Sequence, residues 1–469
     1  MKVIILGGGR VGSALAEQLV KESHDVTVIE KDPVRLKTLQ ETLDLRCIDG
    51  YATYPQSLKQ AGADAADCIV AVTDSDEINL LACQIVYSLF NTPQRIARVS
   101  APNYYDYQSV LFQQAGGLAV HQVFSPVQWV AESICQLVAH PGVRQYWTFA
   151  QHKLTVVAIK VAATHPWLQR SVIEVLQQPG LAKLSGKIIL LRRQAQLSLI
   201  TADQIIEVDD ELWCLVASEQ LSDWLAAWRG LSTSLPQRII IVGGGLIGAE
   251  VARRLSTQHR VKIIERNHIR ASLLAATLPN SVIFCSHAAD HALLLEEHIE
   301  QTDQFIAVTN DDEDNILSAL LAHHLGAKQT LVLIQRPIYR DLIQNQGIDQ
   351  VVMPQLTILS RLLTQLRSPA VQEVYLLPTG EGELIEWQLP SLTDSALSEG
   401  YSLAEVNWPA SIQPLAWVRG ELCWFQDYPT ELQAEDRLIL LSWDQQAWQI
   451  FAQQLQRLVE KQRSSAVNS

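Results

Sequence analysis

The chain has 469 residues, too many for one ordinary hydrophobic core, and its 48% hydrophobic and 18% charged residues predict three or four globular domains rather than a disordered chain. Its 36 Lys and Arg against 50 Asp and Glu give a formal net charge of −14, which argues against nucleic acid as a partner. Seven dispersed cysteines without a CxxC pair indicate reduced thiols of a cytosolic protein rather than disulfides or a metal site, and no apolar run is long enough to span a bilayer.

Residues 1–122 alternate short apolar runs with helical patterns. Strands are expected at 2–6, 26–30, 45–48, 68–72 and 95–99, and helices at 10–22, 32–43 and 75–89. This alternation is typical of βαβ units, in which helices cover both faces of a parallel sheet. The fold class predicted for this segment is therefore α/β, a Rossmann-type domain with a doubly wound parallel sheet.

A crossing helix is expected within residues 123–142, starting at Pro126 and ending before Pro141. Its apolar residues recur at helical spacing on one face and are Val127, Val130, Ile134 and Leu137. This stripe either covers the helix's own domain or packs against a neighbouring subunit, and the sequence leaves both alternatives open.

A small α+β domain is expected at 143–229, and a linker containing Gly and Ser at 230–236 ends the first half of the chain. The small domain is predicted from its strand-like apolar segments, which lie at 153–160, 187–191 and 208–216. The last of these segments begins with an acidic turn, and a similar acidic turn recurs at 434–437 in the second half.

The second half of the chain repeats the first at an offset close to 236 residues. The matching segments are 4–12 with 240–248, 26–32 with 261–267, and 71–77 with 307–313. Self-similarity of this kind indicates a duplication. It predicts a second Rossmann-type domain, a second crossing helix, a second small α+β domain and a tail, at 237–353, 354–369, 370–459 and 460–469.

Both copies carry a GxGxxG pattern in the context that a dinucleotide site requires: a strand before it, a helix after it and a carboxylate about 20 residues later. Its glycines allow a tight turn, a close approach of backbone N–H groups to a pyrophosphate, and packing of the helix on the sheet. The helix N-terminus adds a partial positive charge. The candidate binding residues in these loops are Gly7, Gly8, Gly9, Arg10, Val11, Gly12, Gly243, Gly244, Gly245, Leu246, Ile247 and Gly248.

Glu30 and Glu265 end the second strand of each copy and are expected to accept hydrogen bonds from the adenosine ribose. A carboxylate there repels a 2′-phosphate, so NAD(H), ATP or ADP is favoured over NADP(H). The alternative is a solvated glutamate at a strand end. The residues after each fourth strand are further candidates for ligand contact, although Asp74 and Thr309 could instead cap the following helices. These candidates are Thr73, Asp74, Thr309 and Asn310.

Two more candidates belong to the first copy. Arg98 lies in an apolar strand, where its charge needs a partner, and either a bound phosphate or an internal carboxylate would serve. Tyr51 follows the third strand and is expected to flank the adenine. Because Leu333-Ile334 stands where the second copy would match Arg98, the sites are predicted to be unequal. The first would bind the intact dinucleotide, and the second would be weaker and selective for ADP or ATP.

Several of these residues carry a family likeness. Residues 7–12, Glu30, 71–77 and 91–98 resemble the RCK domain, also called the KTN domain. The duplicated arrangement of this domain with a small TrkA-C domain is similar to the TrkA family of bacterial Trk potassium-uptake systems, over essentially the whole chain. The resemblance implies a cytosolic regulatory subunit that binds NAD(H) and ATP or ADP. It also implies self-association, as a dimer or tetramer forming a ring, and gating of a Trk-type potassium channel at the inner face of the membrane.

The main alternative function is an NAD-dependent dehydrogenase, and a further one is a scaffold that keeps the fold without binding nucleotides. Hydride transfer needs an acid or base beside the nicotinamide, and none of the 12 histidines lies in a recognisable catalytic motif. We therefore predict no catalytic residue and no metal ligand. Nucleotides are expected to shift a conformational equilibrium that the membrane partner senses.

Overall fold

A computed structural model of the chain describes residues 1–112, 117–194, 196–229, 236–343, 346–380, 382–389, 401–402 and 408–455. Residues 230–235 of the expected linker and the expected tail at 460–469 lie outside these described residues. The described residues form two compact units, residues 1–129 with 445–450 and residues 130–444 with 451–455. Among the helices described, none is long and apolar enough to cross a membrane.

The first unit contains a parallel sheet interleaved with helices. Its elements are β1 (Lys2–Leu6), α1 (Arg10–Lys21), β2 (Asp25–Glu30), α2 (Pro33–Thr42), β3 (Arg46–Asp49), α3 (Pro55–Gln60), β4 (Cys68–Ala71), α4 (Asp76–Phe90), β5 (Gln94–Arg98), α5 (Pro102–Asp106), α6 (Gln108–Leu111) and β6 (Gln122–Phe124). The strands pair in the order β3-β2-β1-β4-β5-β6, and each pair is parallel. The order reverses between β1 and β4, which opens a crevice at the carboxyl edge of the sheet.

The central strands β1, β2 and β4 are buried on both faces, which is why they read as mostly apolar runs. Ile4 and Leu6 of β1 lie in one apolar cluster with Leu58 of α3 and Leu80 of α4. The predicted α/β class is confirmed. The predicted strands are present within one or two residues, but α3, α5, α6 and β6 were not expected because each is too short to show a clear period.

The second unit begins within a helix and continues into an antiparallel sheet. Its first elements are α7 (Pro126–Ala139), β7 (Val143–Phe149), β8 (Leu154–Lys160), α8 (Val172–Leu176), β9 (Gly186–Arg193), β10 (Gln196–Leu199), β11 (Glu211–Ala217) and α9 (Leu221–Arg229). The strands pair in the order β10-β9-β11-β8-β7. This is the predicted small α+β fold, with β7 and β10 as strands that the sequence did not indicate.

A second parallel sheet follows, with the same topology as the first. Its elements are β12 (Arg238–Val242), α10 (Leu246–Leu255), β13 (Arg260–Ile264), α11 (His268–Thr277), β14 (Ser281–Phe284), α12 (His291–Glu296), β15 (Gln304–Ala307), α13 (Asp312–His324), β16 (Thr330–Leu333), α14 (Pro337–Leu342) and β17 (Gln350–Val352). The order is β14-β13-β12-β15-β16-β17, which confirms that the sequence repeat is a structural duplication.

The second crossing helix and a second antiparallel sheet complete the unit. Their elements are α15 (Pro354–Leu366), β18 (Val371–Leu376), β19 (Glu383–Gln388), β20 (Tyr401–Ser402), β21 (Ile412–Arg419), β22 (Leu422–Trp424), β23 (Glu431–Leu432) and β24 (Arg437–Ser442). The main sheet has the order β18-β19-β24-β21-β22. The two antiparallel sheets share an apolar cluster, in which the Trp147 and Tyr375 rings stack with centroids 5.0 Å apart. The domain limits proposed from the sequence stay predictions.

The apolar stripe of α7 is buried inside the chain. Val130, Ile134 and Leu137 belong to one cluster with residues of the first antiparallel sheet and with Ile239 and Val251 of the second parallel sheet. The stripe therefore packs on the other copy of the repeat as well as on its own small domain. The sequence could not reveal this arrangement, because the amphipathic pattern does not identify the surface that covers it.

Candidate functional site

The glycine loop after β1 contains two glycines that the fold itself requires. Gly7 has a φ of +103°, which side chains with a Cβ rarely adopt, and its N–H donates to the Ile29 carbonyl at 2.9 Å. A Cβ added at Gly12 would lie 1.9 Å from the Gly7 carbonyl oxygen. These residues hold the first turn of α1 directly against the end of β1.

Gly9 differs from its neighbours, because nothing in the fold requires a glycine there. Its φ of −70° and ψ of −173° are open to any residue. Apart from its chain neighbours, the one described heavy atom that an added Cβ would have within 4 Å is Arg35 Nη1, at 3.9 Å. The missing side chain leaves an open face at the N-terminus of α1, where the first backbone N–H groups have no partner within the helix.

Glu30 fastens this loop to the end of β2. Its side chain is buried, and its Oε2 accepts the Gly8 N–H at 2.6 Å, while Oε1 accepts the N–H groups of Lys31 and Asp32, both at 2.9 Å. The alternative of a solvated glutamate is therefore wrong. A carboxylate has about four acceptor positions, so these three bonds leave capacity for a ligand hydroxyl.

Thr73 lies beside the glycine loop, at the end of β4. A Cβ on Gly7 would be 3.1 Å from the Thr73 backbone, so the loops after β1 and β4 touch. The Thr73 hydroxyl donates to Asn79 Oδ1 at 2.7 Å, and Asn79 Nδ2 donates to the Arg98 carbonyl at 3.0 Å. Asn79 thus connects the ends of β4 and β5, a role that the sequence did not single out.

The expected alternative of a helix cap at Asp74 is wrong. Ser75 is the N-cap of α4, since its side chain accepts the Ile78 N–H at 3.2 Å, and Asp74 is exposed beside it. The same correction applies in the second copy, where Asp311 rather than Thr309 caps α13 and accepts the Asp314 N–H at 3.0 Å. Contact of Asp74 or Thr309 with a ligand stays a prediction.

Arg98 faces carboxylates of its own unit. Burial lowers the pKa of its guanidinium, and the nearby Asp76 and Asp74 partly oppose that shift. Its Nε lies 3.3 Å from the Ser100 hydroxyl. Internal carboxylates are therefore among its neighbours, and contact with a bound phosphate stays a prediction.

Tyr51 lies in the loop after β3 beside a second aromatic ring. Its centroid is 4.8 Å from that of Tyr54, and the two side chains are 53% and 56% exposed. Two exposed rings beside β3, tilted by 31° to each other, offer aromatic faces of the kind on which a purine can stack. Tyr54 was missed in the sequence because it lies outside the glycine fingerprint.

The second copy reproduces the loop geometry closely. Gly243 has a φ of +103°, and a Cβ on Gly248 would lie 1.9 Å from the Gly243 carbonyl oxygen. In the described structure, a Cβ on Gly245 would have nothing within 4 Å. The open face at the helix N-terminus is therefore present in both copies.

The carboxylate of the second site has an additional neighbour. Glu265 is buried, and its side chain accepts the N–H groups of Gly244 at 2.9 Å and Asn267 at 2.7 Å, as Glu30 does in the first copy. In addition, Arg270 Nη1 lies 3.4 Å from Glu265 Oε2. Thr309 repeats the role of Thr73, donating to Asn315 Oδ1 at 2.8 Å, and the Asn310 carbonyl accepts from Gln335 Nε2 at 3.2 Å.

The second copy has a basic residue after β16, Arg336, three positions beyond Leu333, the residue that matches Arg98 of the first copy. Arg336 Nη2 lies 2.5 Å from Glu313 Oε1, and its Nε lies 3.5 Å from Asp312. Hydrogen bonds from Tyr339, the Glu313 backbone and Arg336 lower the pKa of Glu313 to about 2. This arginine is paired with carboxylates and does not repeat the placement of Arg98.

Comparisons with known proteins agree with this architecture. The family model described as TrkA-N domain matches residues 3–126 and 239–354. "Trk system potassium uptake protein TrkA" of Vibrio alginolyticus is 38% identical over 440 residues, covering 94% of this chain and 95% of that protein. The protein of the same name from Haemophilus influenzae is 38% identical over 420 residues, covering 90% and 91%. These similarities extend over both copies of the repeat.

Solved structures share the fold at lower identity. The crystal structure of the GsuK RCK domain superimposes with a TM-score of 0.60 at 20% identity, covering 97% of this chain and 95% of that one. The GsuK channel bound to NAD gives a TM-score of 0.59 at 19% identity, covering 97% and 79%. These likenesses show that the duplicated architecture of this chain is one found in RCK domains.

Proposed function

The chain belongs to the TrkA family of Trk system potassium uptake proteins, and from this premise we propose that it is a regulatory subunit that binds nucleotides and gates a membrane potassium transporter. The ligands would be NAD(H) and the adenine nucleotides ATP and ADP. The subunit would self-associate as a dimer or tetramer forming a ring. It would work in the cytoplasm, held at the inner face of the membrane by its Trk-type partner.

The observation that carries this proposal is the open face at Gly9 and Gly245. Both glycines have an ordinary backbone conformation and free space where a Cβ would lie, so folding alone does not explain them. Both stand at a helix N-terminus beside the crevice where Rossmann folds bind their ligands. A pyrophosphate that approaches the backbone N–H groups closely is a physical reason for keeping a glycine at these positions.

The residues around this face fit the rest of a dinucleotide. Glu30 and Glu265 have acceptor capacity for ribose hydroxyls, and Tyr51 with Tyr54 offers a surface for the adenine in the first copy. Thr73 and Thr309 lie at the crevice, where the middle of the ligand would pass. In a hydride-transfer enzyme the nicotinamide supplies or accepts a hydride, whereas here we propose that the ligand is sensed and released unchanged.

Gating requires that nucleotides bind two arrangements of the chain with different affinity. A ligand with equal affinity for both states shifts nothing, however tightly it binds. We propose that nucleotides at the duplicated sites bias such an equilibrium and that the membrane partner responds to it. The ion pair between Glu132 of α7 and Arg361 of α15, at 2.8 Å, lies where the two helices meet.

The direct test of binding is thermal denaturation of the full chain with NADH, NAD, ATP and ADP. A ligand at about 100 times its Kd adds roughly 2.7 kcal/mol to the free energy of unfolding, which is easily measured. The proposal fails if none of the four raises the unfolding temperature. Oxidation of NADH by the chain with common keto acids would instead favour the alternative function, an NAD-dependent dehydrogenase.

A second test concerns the membrane partner. The chain should co-sediment with membranes that contain a Trk-type transporter subunit and stay in the supernatant with membranes that lack it. Sedimentation with both kinds of membrane would contradict docking through a protein partner, because it would show binding to lipid itself.

A further inference from the structure

The two copies of the site differ in charge beside the carboxylate that ends their second strand. In the first copy, Glu30 is accompanied by Asp32, two residues later in the chain, and by Asp49, which pairs with it in register on β3. In the second copy the equivalent positions hold Asn267 and Cys285. Two carboxylates near the first site are thus replaced by neutral side chains near the second.

The exchange of Asp32 for Asn267 keeps a capping residue at the start of the following helix and removes only its negative charge. Asp32 Oδ1 accepts the Val34 N–H at 2.9 Å at the start of α2, and Asn267 Oδ1 accepts the Arg270 N–H at 3.0 Å at the start of α11. Because an asparagine oxygen serves a helix N-terminus as well as aspartate does, the exchange is not required for folding.

The arginine three residues after the cap has a different carboxylate neighbour in each copy. In the first copy, Arg35 Nε lies 3.6 Å from Asp32 Oδ2, and its Nη1 lies 3.9 Å from the Cβ that Gly9 would carry, so this guanidinium lies beside the cap and the pyrophosphate face rather than at Glu30. In the second copy, Arg270 occupies the same position of the repeat but lies against Glu265, at 3.4 Å. A cation therefore stands at the carboxylate that would bind the adenosine ribose.

The other acids near the second site have their own partners. Asp290 caps α12 through the Leu293 N–H at 3.2 Å and accepts from the Ser286 hydroxyl at 2.5 Å. Asp314 lies 3.8 Å from Arg266. Among the described residues, the carboxylate that the Arg270 guanidinium faces is that of Glu265.

We propose that the second site accepts a nucleotide with a phosphate on its adenosine ribose, of the NADP(H) class, which the first site excludes. An arginine beside the ribose is how Rossmann folds accommodate a 2′-phosphate, and a charge-assisted hydrogen bond is about twice as strong as a neutral one. The inference rests on the proposed function, because it presumes that both glycine loops bind nucleotides. It departs from the expectation that Glu265 alone decides against a 2′-phosphate.

Calorimetry with NADH and NADPH tests the inference on full-length variants that retain one site each. Gly9→Asp leaves the second site and Gly245→Asp leaves the first, since a carboxylate at either glycine repels a pyrophosphate. The ratio of NADPH to NADH affinity should be at least about tenfold higher in Gly9→Asp than in Gly245→Asp, as expected for a difference of one or more nearby charges. Equal ratios would overturn the inference while leaving nucleotide binding intact.

Substitutions of the charged and capping residues beside Glu265 test which side chains cause the selectivity. In the Gly9→Asp background, Asn267→Asp and Arg270→Ala should each weaken NADPH about tenfold and leave NADH within about twofold. Arg35→Ala is the matched control and should not change NADPH binding. An Arg270→Ala variant with undiminished NADPH affinity would refute the role of this arginine.

The unmodified chain gives an independent readout should a glycine variant fail to fold. Saturating NADPH should occupy one site per chain and leave one further site for NADH. Binding of NADPH at two sites per chain would contradict the inference. Binding of NADH at both sites with no binding of NADPH would contradict it as well. If neither NADH nor NADPH binds at any site, the proposed function fails as well, and that result is distinct from a failure of selectivity.

Discussion

Replacing Gly9 by serine should separate folding from ligand binding. Gly9 is the N-cap of α1 with an extended backbone, a position at which serine is preferred because its side-chain oxygen accepts a hydrogen bond from the helix N-terminus. With the nearest described heavy atom at 3.9 Å, the new side chain has room. The free energy of unfolding should therefore stay unchanged or rise by a few tenths of a kcal/mol.

The same side chain should weaken nucleotide binding at the first site. It fills the face that a pyrophosphate would use and engages an N–H group that the phosphate would otherwise receive. Losing one hydrogen bond to a charged group costs about 1.5–3 kcal/mol, which corresponds to roughly a 10- to 150-fold increase in Kd.

Two assays on the purified chain measure these effects. Chemical denaturation without ligand gives the change in the free energy of unfolding, and calorimetry with NADH gives Kd and stoichiometry. Gly245→Ser is the matched substitution in the second copy, where a Cβ would have even more space. Undiminished NADH affinity and stoichiometry in Gly9→Ser would refute the assignment of this face to the pyrophosphate.

Three further predictions concern Gly12, Glu30 and Glu373. Gly12→Ala should lower the unfolding temperature through a cost of at least about 1–3 kcal/mol, because its Cβ would lie 1.9 Å from the Gly7 carbonyl oxygen, and an unchanged unfolding temperature would show that this contact relaxes freely. Glu30→Ala should weaken NADH and ATP together in calorimetry, since both carry the ribose diol, and weakening of one alone would exclude Glu30 as the ribose contact. Burial and the facing Glu386 raise the pKa of Glu373 from 4.5 to about 7, so the folded chain holds a proton that the unfolded chain releases, and stability should fall by up to about 3 kcal/mol between these pH values. Glu373→Gln should remove that fall in denaturation experiments at pH 5, 7 and 8, and a wild-type pH profile in the variant would contradict the assignment.

The sequence predicted the parts of the fold that depend on local pattern. The sequence shows the apolar strands and the glycine fingerprints because both depend on short-range constraints, such as the positive φ at Gly7. The same features recur at a nearly constant offset in the second half of the chain, where Gly243 has the same φ. The same information predicted that Gly12 packs a helix on the sheet. Duplication strengthened each of these predictions, because the same pattern occurs in both copies of the repeat.

Features that depend on contacts between distant segments could not be predicted in this way. The sequence did not show that α7 packs on the second copy, that Asn79 links β4 to β5, or that Ser75 caps α4. Charge placement was also hidden. Comparison of the two copies showed that the second has no match for Arg98. It gave no sign that Arg336 pairs with Glu313 or that Arg270 lies against Glu265.

Potassium flux in proteoliposomes that contain the Trk-type membrane subunit and this chain tests the central claim most directly. With the unmodified chain, addition of NADH, ATP or ADP should change the flux. With the double variant Gly9→Ser and Gly245→Ser, the chain should still associate with the membrane subunit, but the flux should no longer respond to nucleotides. A flux that ignores nucleotides with the unmodified chain, or that responds fully with the double variant, would contradict the account.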